Sequence, residues 1–123
     1  MKDPDHISIA IVDDDESLCR SLTRLLSAVG MQTVAYPSAE AFLTDRQRPA
    51  FDCLVLDVQL GGISGIELQR QLVASGARTP VIFITAHDEP EVREQALAGG
   101  CAGYLLKTAP GTEVIEAIRR AAA

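Results

Sequence analysis

The stretch IAIVDDDES, residues 9–17, runs from four apolar residues straight into three consecutive aspartates. Crowding like charges at the end of a buried strand is costly, because each carboxylate loses water and gains a repelling neighbour. Such a cluster implies something positive to hold. Working outward, four further apolar runs recur along the chain: QTVAY, CLVLD, VIFIT and AGYLLK. Most are continuous rather than alternating, which is the pattern of strands covered on both faces in a parallel sheet.

Helical spacing fills the segments between these runs. Leu18, Leu22, Leu25, Leu26 and Val29 share one face and stop at Gly30, a residue suited to the left-handed turn past a helix end. A second helix is expected after Ser38, as N-cap, carrying AEAFL; a third over about residues 65–75, ending at Gly76. The fourth is expected to start near Pro90, after Asp88, and to stop at Gly99-Gly100. The last is expected over about residues 111–120, with Val114, Ile115 and Ile118 turned inward. Five strand-helix alternations with right-handed crossovers give an α/β, doubly wound parallel sheet flanked by five helices. In such a sheet the functional crevice lies beyond the carboxyl ends of the strands, where strand order reverses.

Size and charge narrow the function. A chain of 123 residues, 47% hydrophobic and 23% charged, fits a single globular domain spanning 1–123. Seventeen acidic against eleven basic residues give a net charge of −6, which argues against direct binding of nucleic acid by this chain. No run approaches the roughly 20 apolar residues that span a bilayer, and the opening MKDPDHIS lacks the pattern of a secretory leader. A cytoplasmic location is expected, with no membrane partner. Cys19, Cys53 and Cys101 are odd in number, far apart and set in apolar surroundings, so they read as buried thiols.

The strand ends carry the chemistry. Asp13, Asp14 and Asp15 follow the first strand, and Asp57, Thr85 and Lys107 end the third, fourth and fifth. Acids, a hydroxyl and an ammonium on one rim form a set for metal-assisted phosphoryl transfer. Clustered carboxylates favour a hard cation such as Mg²⁺, which takes oxygen ligands and lets an acidic rim clamp a phosphoryl oxygen. Asp57 is then the natural nucleophile, able to form an acyl phosphate, and Lys107 and Thr85 suit the neutralisation of its charge.

On VDDDES, LVLDVQLGGISGIEL, VIFITA and GYLLK together, the whole chain resembles a CheY-like receiver domain of a bacterial two-component response regulator, and YPSAEAFL is similar to the FixJ-like and NarL-like groups. The resemblance implies the strand order 2-1-3-4-5, the known order of that flavodoxin-like fold. It implies Mg²⁺ held by Asp13, Asp14, Asp57 and the main-chain carbonyl of Gln59, with Asp15 a neighbour and not a ligand. It further implies a phosphoryl group accepted on Asp57, Lys107 pairing with it, and Thr85 and Tyr104 as switch residues. The implied partner is a histidine kinase or phosphotransfer protein, with a possible homodimer through helix four, strand five and helix five. The only catalysis implied is of the protein's own phosphorylation and dephosphorylation. Receivers of these groups usually precede a DNA-binding domain and regulate transcription. Whether this receiver stands alone or is part of a longer regulator is left open.

Two positions depart from the family pattern. Gly61 stands where a proline is usual, which implies a more flexible loop after Asp57. Thr108 follows Lys107 where a cis-proline is usual; a cis bond before threonine costs about 2.5–4 kcal/mol, so a trans bond is expected and the placement of Lys107 becomes a question. His87 reads as an exposed loop residue and Glu16 as an acid serving the first turn of its helix. Three other functions compete. A degenerate receiver would dock a partner without phosphorylation. A phosphatase of the haloacid-dehalogenase type needs a second acid two residues after the nucleophile, where Gln59 stands. A flavodoxin-like carrier needs a phosphate loop without three aspartates.

Overall fold

A computed structural model describes residues 6–123 of the chain; the readings made on residues 1–5, including most of the opening stretch, lie outside the described residues. Strands and helices alternate five times: β1 (Ser8–Val12), α1 (Glu16–Ala28), β2 (Gln32–Tyr36), α2 (Ala39–Thr44), β3 (Cys53–Asp57), α3 (Gly65–Ala74), β4 (Val81–Thr85), α4 (Pro90–Ala98), β5 (Gly103–Leu106) and α5 (Gly111–Ala122). The strands form one sheet in the order β2-β1-β3-β4-β5, every neighbouring pair parallel. No helix among the described residues is long and apolar enough to cross a membrane.

The continuous apolar runs divide by position in the sheet. Every residue of β3 and β4 is buried, and so is all of β1 after Ser8. At the edges the expectation fails: β2 buries only Tyr36, and no β5 residue is fully buried. An edge strand has a single neighbour and less helix over it, so its apolar residues are half covered.

Pleating splits the core into two layers, because successive side chains leave a strand on opposite faces. Ile9 and Ile11 of β1, Cys53 and Val55 of β3, and Ile82 and Ile84 of β4 pack with Leu22 and Leu26 of α1 and Val114 and Ile118 of α5. Ala10 and Val12, Leu54 and Leu56, and Val81 and Phe83 face the other way, onto Phe42 of α2, Leu68 of α3 and Ala96 of α4. The helices are held unequally. α1 fully buries Cys19, Leu22 and Leu26, whereas α4 fully buries only Ala96. Each buried leucine contributes about 1.5–3 kcal/mol and an alanine methyl well under that, so α4 is the lightly anchored element.

Local signals set most helix boundaries as expected. Ser38 caps α2 by accepting from the Ala41 N–H, and Ser64 caps α3 by accepting from the Glu67 N–H. Gly30, at φ +86, makes the left-handed turn after α1; Val29 is its C-cap and still packs on the core layer with Leu18 and Leu25. Helix α4 starts at Pro90, as expected. Glu89, not Asp88, is the N-cap, with no side-chain capping bond, and Asp88 instead pairs with Arg93 at 3.1 Å. The three cysteines are free, but only Cys19 and Cys53 are buried. Cys101 is half-buried because it lies in the turn between Gly100 and β5. Burial pushes the Cys53 thiol up to about 12, which makes it inert as a nucleophile.

Candidate functional site

The two faces of the sheet sort the strand-end residues. Asp57 continues the parity of Cys53 and Val55, on the side covered by α1 and α5, while Thr85 continues that of Val81 and Phe83, on the side of α2, α3 and α4. Asp13 and Lys107, each one residue past its strand, join Asp57. The Lys107 Nζ lies 3.1 Å from Asp57 Oδ2 and 3.1 Å from Asp13 Oδ2. Both acids are almost wholly covered, Asp13 at 2% and Asp57 at 4% exposure. Asp14 is exposed, yet one oxygen from each of Asp13, Asp14 and Asp57 lies within 4.8 Å of the others.

Main-chain donors hold the two buried carboxylates from behind. The Asp15 N–H donates to Asp13 Oδ1 at 2.9 Å, and the Gln59 N–H donates to Asp57 Oδ1 at 3.1 Å. Asp15 turns away: its side chain accepts from the Leu18 N–H as N-cap of α1, which makes it a capping group beside the cluster. Glu16 lies in the first turn, as its sequence position suggests. The Lys107–Thr108 bond is not cis, since no described peptide bond is, and Lys107 still reaches the acids. Its N–H donates to the Thr85 carbonyl at 2.7 Å, which extends the β4–β5 ladder and aims the side chain.

The electrostatics favour a cation. Burial, opposed by the Asp15 N–H and reinforced by repulsion from Asp57, raises the Asp13 carboxyl above its usual range. For Lys107, burial alone would lower the ammonium, but hydrogen bonds to Asp57 and Asp13 outweigh it and hold the group above its ordinary value. Three carboxylates against one ammonium leave two negative charges unmatched. Asp13 Oδ2 is buried and accepts no hydrogen bond of good geometry, although Nζ stands close enough for Coulomb attraction. An all-oxygen donor set, an excess of two negative charges and an orphaned buried oxygen fit a hard divalent ion such as Mg²⁺.

Thr85 and Tyr104 are not in this cluster. The Thr85 hydroxyl, 2% exposed, donates to the His87 carbonyl at 2.9 Å and accepts from the His87 N–H at 3.2 Å. His87 has an exposed side chain and contributes its main chain only. Tyr104 is half-buried with its ring centroid 6.4 Å from that of Phe83, and its hydroxyl is buried without a partner. The Arg93 guanidinium lies 5.3 Å over the Tyr104 ring while pairing with Asp88. Asp88 and Arg93 were missed from the sequence as site neighbours, because their five-residue spacing spans a helix start and follows no helical pairing rule.

Comparison with known proteins agrees with this geometry. The family model for the response regulator receiver domain matches residues 9–119. Nodulation protein W of Bradyrhizobium diazoefficiens is 37% identical over 110 residues, covering 89% of this chain and 48% of that protein. Response regulator protein TodT of Pseudomonas putida is 35% identical over 113 residues, covering 92% and 50%. A solved structure of FixJ-N superposes with a TM-score of 0.87 at 34% identity, covering 99% of this chain and 95% of that one. The chain belongs to the response regulator receiver domain family. It is a receiver of two-component signalling, and it spans about half the length of the curated relatives it matches.

Proposed function

We propose that this receiver accepts a phosphoryl group on Asp57 from the phosphohistidine of a histidine kinase or phosphotransfer protein, with Mg²⁺ as cofactor. The observation that carries the reading is one ammonium, Lys107, bridging two buried carboxylates, Asp13 and Asp57, with Asp14 within ligand distance of both. An Asp57 oxygen attacks phosphorus as the phosphorus–nitrogen bond to the donor imidazole breaks, and the nitrogen keeps that electron pair. Lys107 stays paired to Asp57 and neutralises charge gathering on the phosphoryl oxygens. Asp13, Asp14, Asp57 and the Gln59 carbonyl would hold the ion, which supplies charge neutralisation between carboxylate and phosphoryl oxygen. The N–H of Gln59 keeps the other Asp57 oxygen oriented.

The modification adds a charge of about −1.5 to −2. Thr85 then exchanges its bonds to His87 for one to the new oxygens, and Tyr104, whose hydroxyl lacks a partner, repacks with it. The shift is read out on the surface of α4, β5 and α5, by a second receiver or by an output domain in a longer chain. The lightly anchored α4 suits such a two-state surface. The protein catalyses only its own phosphorylation and dephosphorylation, in the cytoplasm. No observation favours a docking module that dispenses with phosphorylation. The test is labelling with a small acyl phosphate in millimolar Mg²⁺. Wild type gains one base-labile phosphoryl group, and chelating the metal beforehand prevents the gain, whereas labelling that persists in Asp57→Asn refutes the assignment.

A further inference from the structure

We propose that Glu40 of α2 is a positioning residue for the loop that follows Asp57, tying down a segment the chain itself leaves slack; its effect on Mg²⁺ rests on the metal reading above. The loop, residues 58–64, is anchored at both ends. The Gln59 N–H bonds Asp57 Oδ1 at 3.1 Å, the Gly65 N–H bonds the Val58 carbonyl at 3.1 Å, and Val58 and Leu60 are buried. Between the anchors, Gly61 and Gly62 are exposed. A Cβ on Gly61 would meet nothing within 4 Å, and Gly62 sits at φ +82, so neither side chains nor backbone preference stiffens this stretch.

Glu40 supplies what the glycines lack. Its Oε2 accepts a hydrogen bond from the Ile63 N–H at 3.2 Å, across 23 residues of sequence. The same carboxylate lies against Gly62, where a Cβ would have to displace it. A six-residue helix is short, but this one is a firm mount. Phe42 is 3% exposed and packs edge-on to Tyr36 at 5.3 Å between ring centroids, Ser38 caps the helix, and Arg48 lies 4.6 Å over the Phe42 ring. The helix is therefore held by the hydrophobic layer, and its exposed Glu40 carboxylate in turn holds the loop that carries Gln59. Freed at Ile63, the Gly-Gly stretch would sample more conformers, and the loop would need to be ordered each time an ion binds.

The test compares wild type with Glu40→Ala, Glu40→Gln and the double variant Glu40→Ala/Gly61→Pro, by amide hydrogen exchange and by Mg²⁺ titration followed through amide shifts. Gly61 is not among the positive-φ glycines and a Cβ there meets open space, so proline is the stiffening substitution chosen. Glu40→Ala should speed exchange at Ile63 and weaken Mg²⁺ half-saturation about three- to tenfold, with no matching fall in melting temperature. Glu40→Gln, whose amide oxygen still accepts, should recover most of both. The double variant should recover Mg²⁺ binding without recovering Ile63 protection. Unchanged exchange at Ile63 in Glu40→Ala overturns the latch. Faster exchange with an unchanged Mg²⁺ response overturns the positioning role. A wild type blind to Mg²⁺ overturns the metal reading and the positioning role with it, but not the Ile63 bond, which exchange reads without metal.

Discussion

The carboxyl rim of the sheet has two sides, and they are held by different forces. Toward α1 and α5, Asp13, Asp57 and Lys107 form one buried ionic cluster, with main-chain N–H groups behind the acids. Toward α4, Thr85 is closed onto the main chain of its own loop, Tyr104 keeps a buried hydroxyl unpaired, and Arg93, paired with Asp88 on the exposed side, lies over the Tyr104 ring. The first side is held by charge, because separating a half-buried ammonium from two buried carboxylates is costly. The second is secured by bonds of about 1 kcal/mol each, which a new charge can outbid. On the proposed function, the chemistry falls on the ionic side and the response on the side held by single hydrogen bonds.

That contrast can be broken by experiment. The largest effect is expected from Lys107→Met, which leaves Asp13 and Asp57 facing each other uncompensated. It should lower stability at neutral pH by roughly 2–3 kcal/mol, somewhat below the figure for a fully buried pair because the lysine side chain keeps 20% exposure. The sign with pH is definite. The folded state raises the Asp13 carboxyl above its usual value, so acidification protonates it in the fold first and relieves the repulsion. The deficit should shrink in mildly acidic urea melts, and Mg²⁺ should also reduce it. If Lys107→Met costs no more than Thr85→Ala, the two sides are not built differently.

Thr85→Ala should be intermediate. It removes both bonds to His87, whose groups reach water, and should cost about 1 kcal/mol, leave Mg²⁺ titration unchanged and abolish the shift of Tyr104 signals on beryllofluoride addition. Thr85→Ser should keep that shift. The smallest effect belongs to Arg93→Ala. Arg93 and Asp88 side chains keep 48% and 40% exposure, so the melt should move by less than about 0.5 kcal/mol, while the Tyr104 ring resonances move because the guanidinium has left its face. A large loss of stability in Arg93→Ala would mean that the α4 side is locked as well.

Much of this was readable in the chain. The five apolar runs, the cap Ser38 and the glycine stops gave the elements nearly to the residue, since burial and capping act over a few neighbours. The acids, threonine and lysine were found because strand ends in such a sheet converge on one rim. What could not be read was their division. Asp57 and Thr85 looked equivalent as strand ends, yet the pleat sends them to opposite layers. Edge strands looked like central ones, because an apolar run carries no mark of how many neighbours it will have. Glu40 lay within YPSAEAFL with nothing to mark its reach to Ile63, and Arg93 carried no motif.

By itself the amino-acid order determined which segments become strands and helices and which charged groups stand at their ends, because periodic burial and turn chemistry are local. Only the tertiary structure decided that Lys107 meets Asp13, 94 positions away, and that Glu40 reaches Ile63. Those meetings depend on strand order, register and helix cover, which arise from packing the whole chain at once, and no local stretch encodes them.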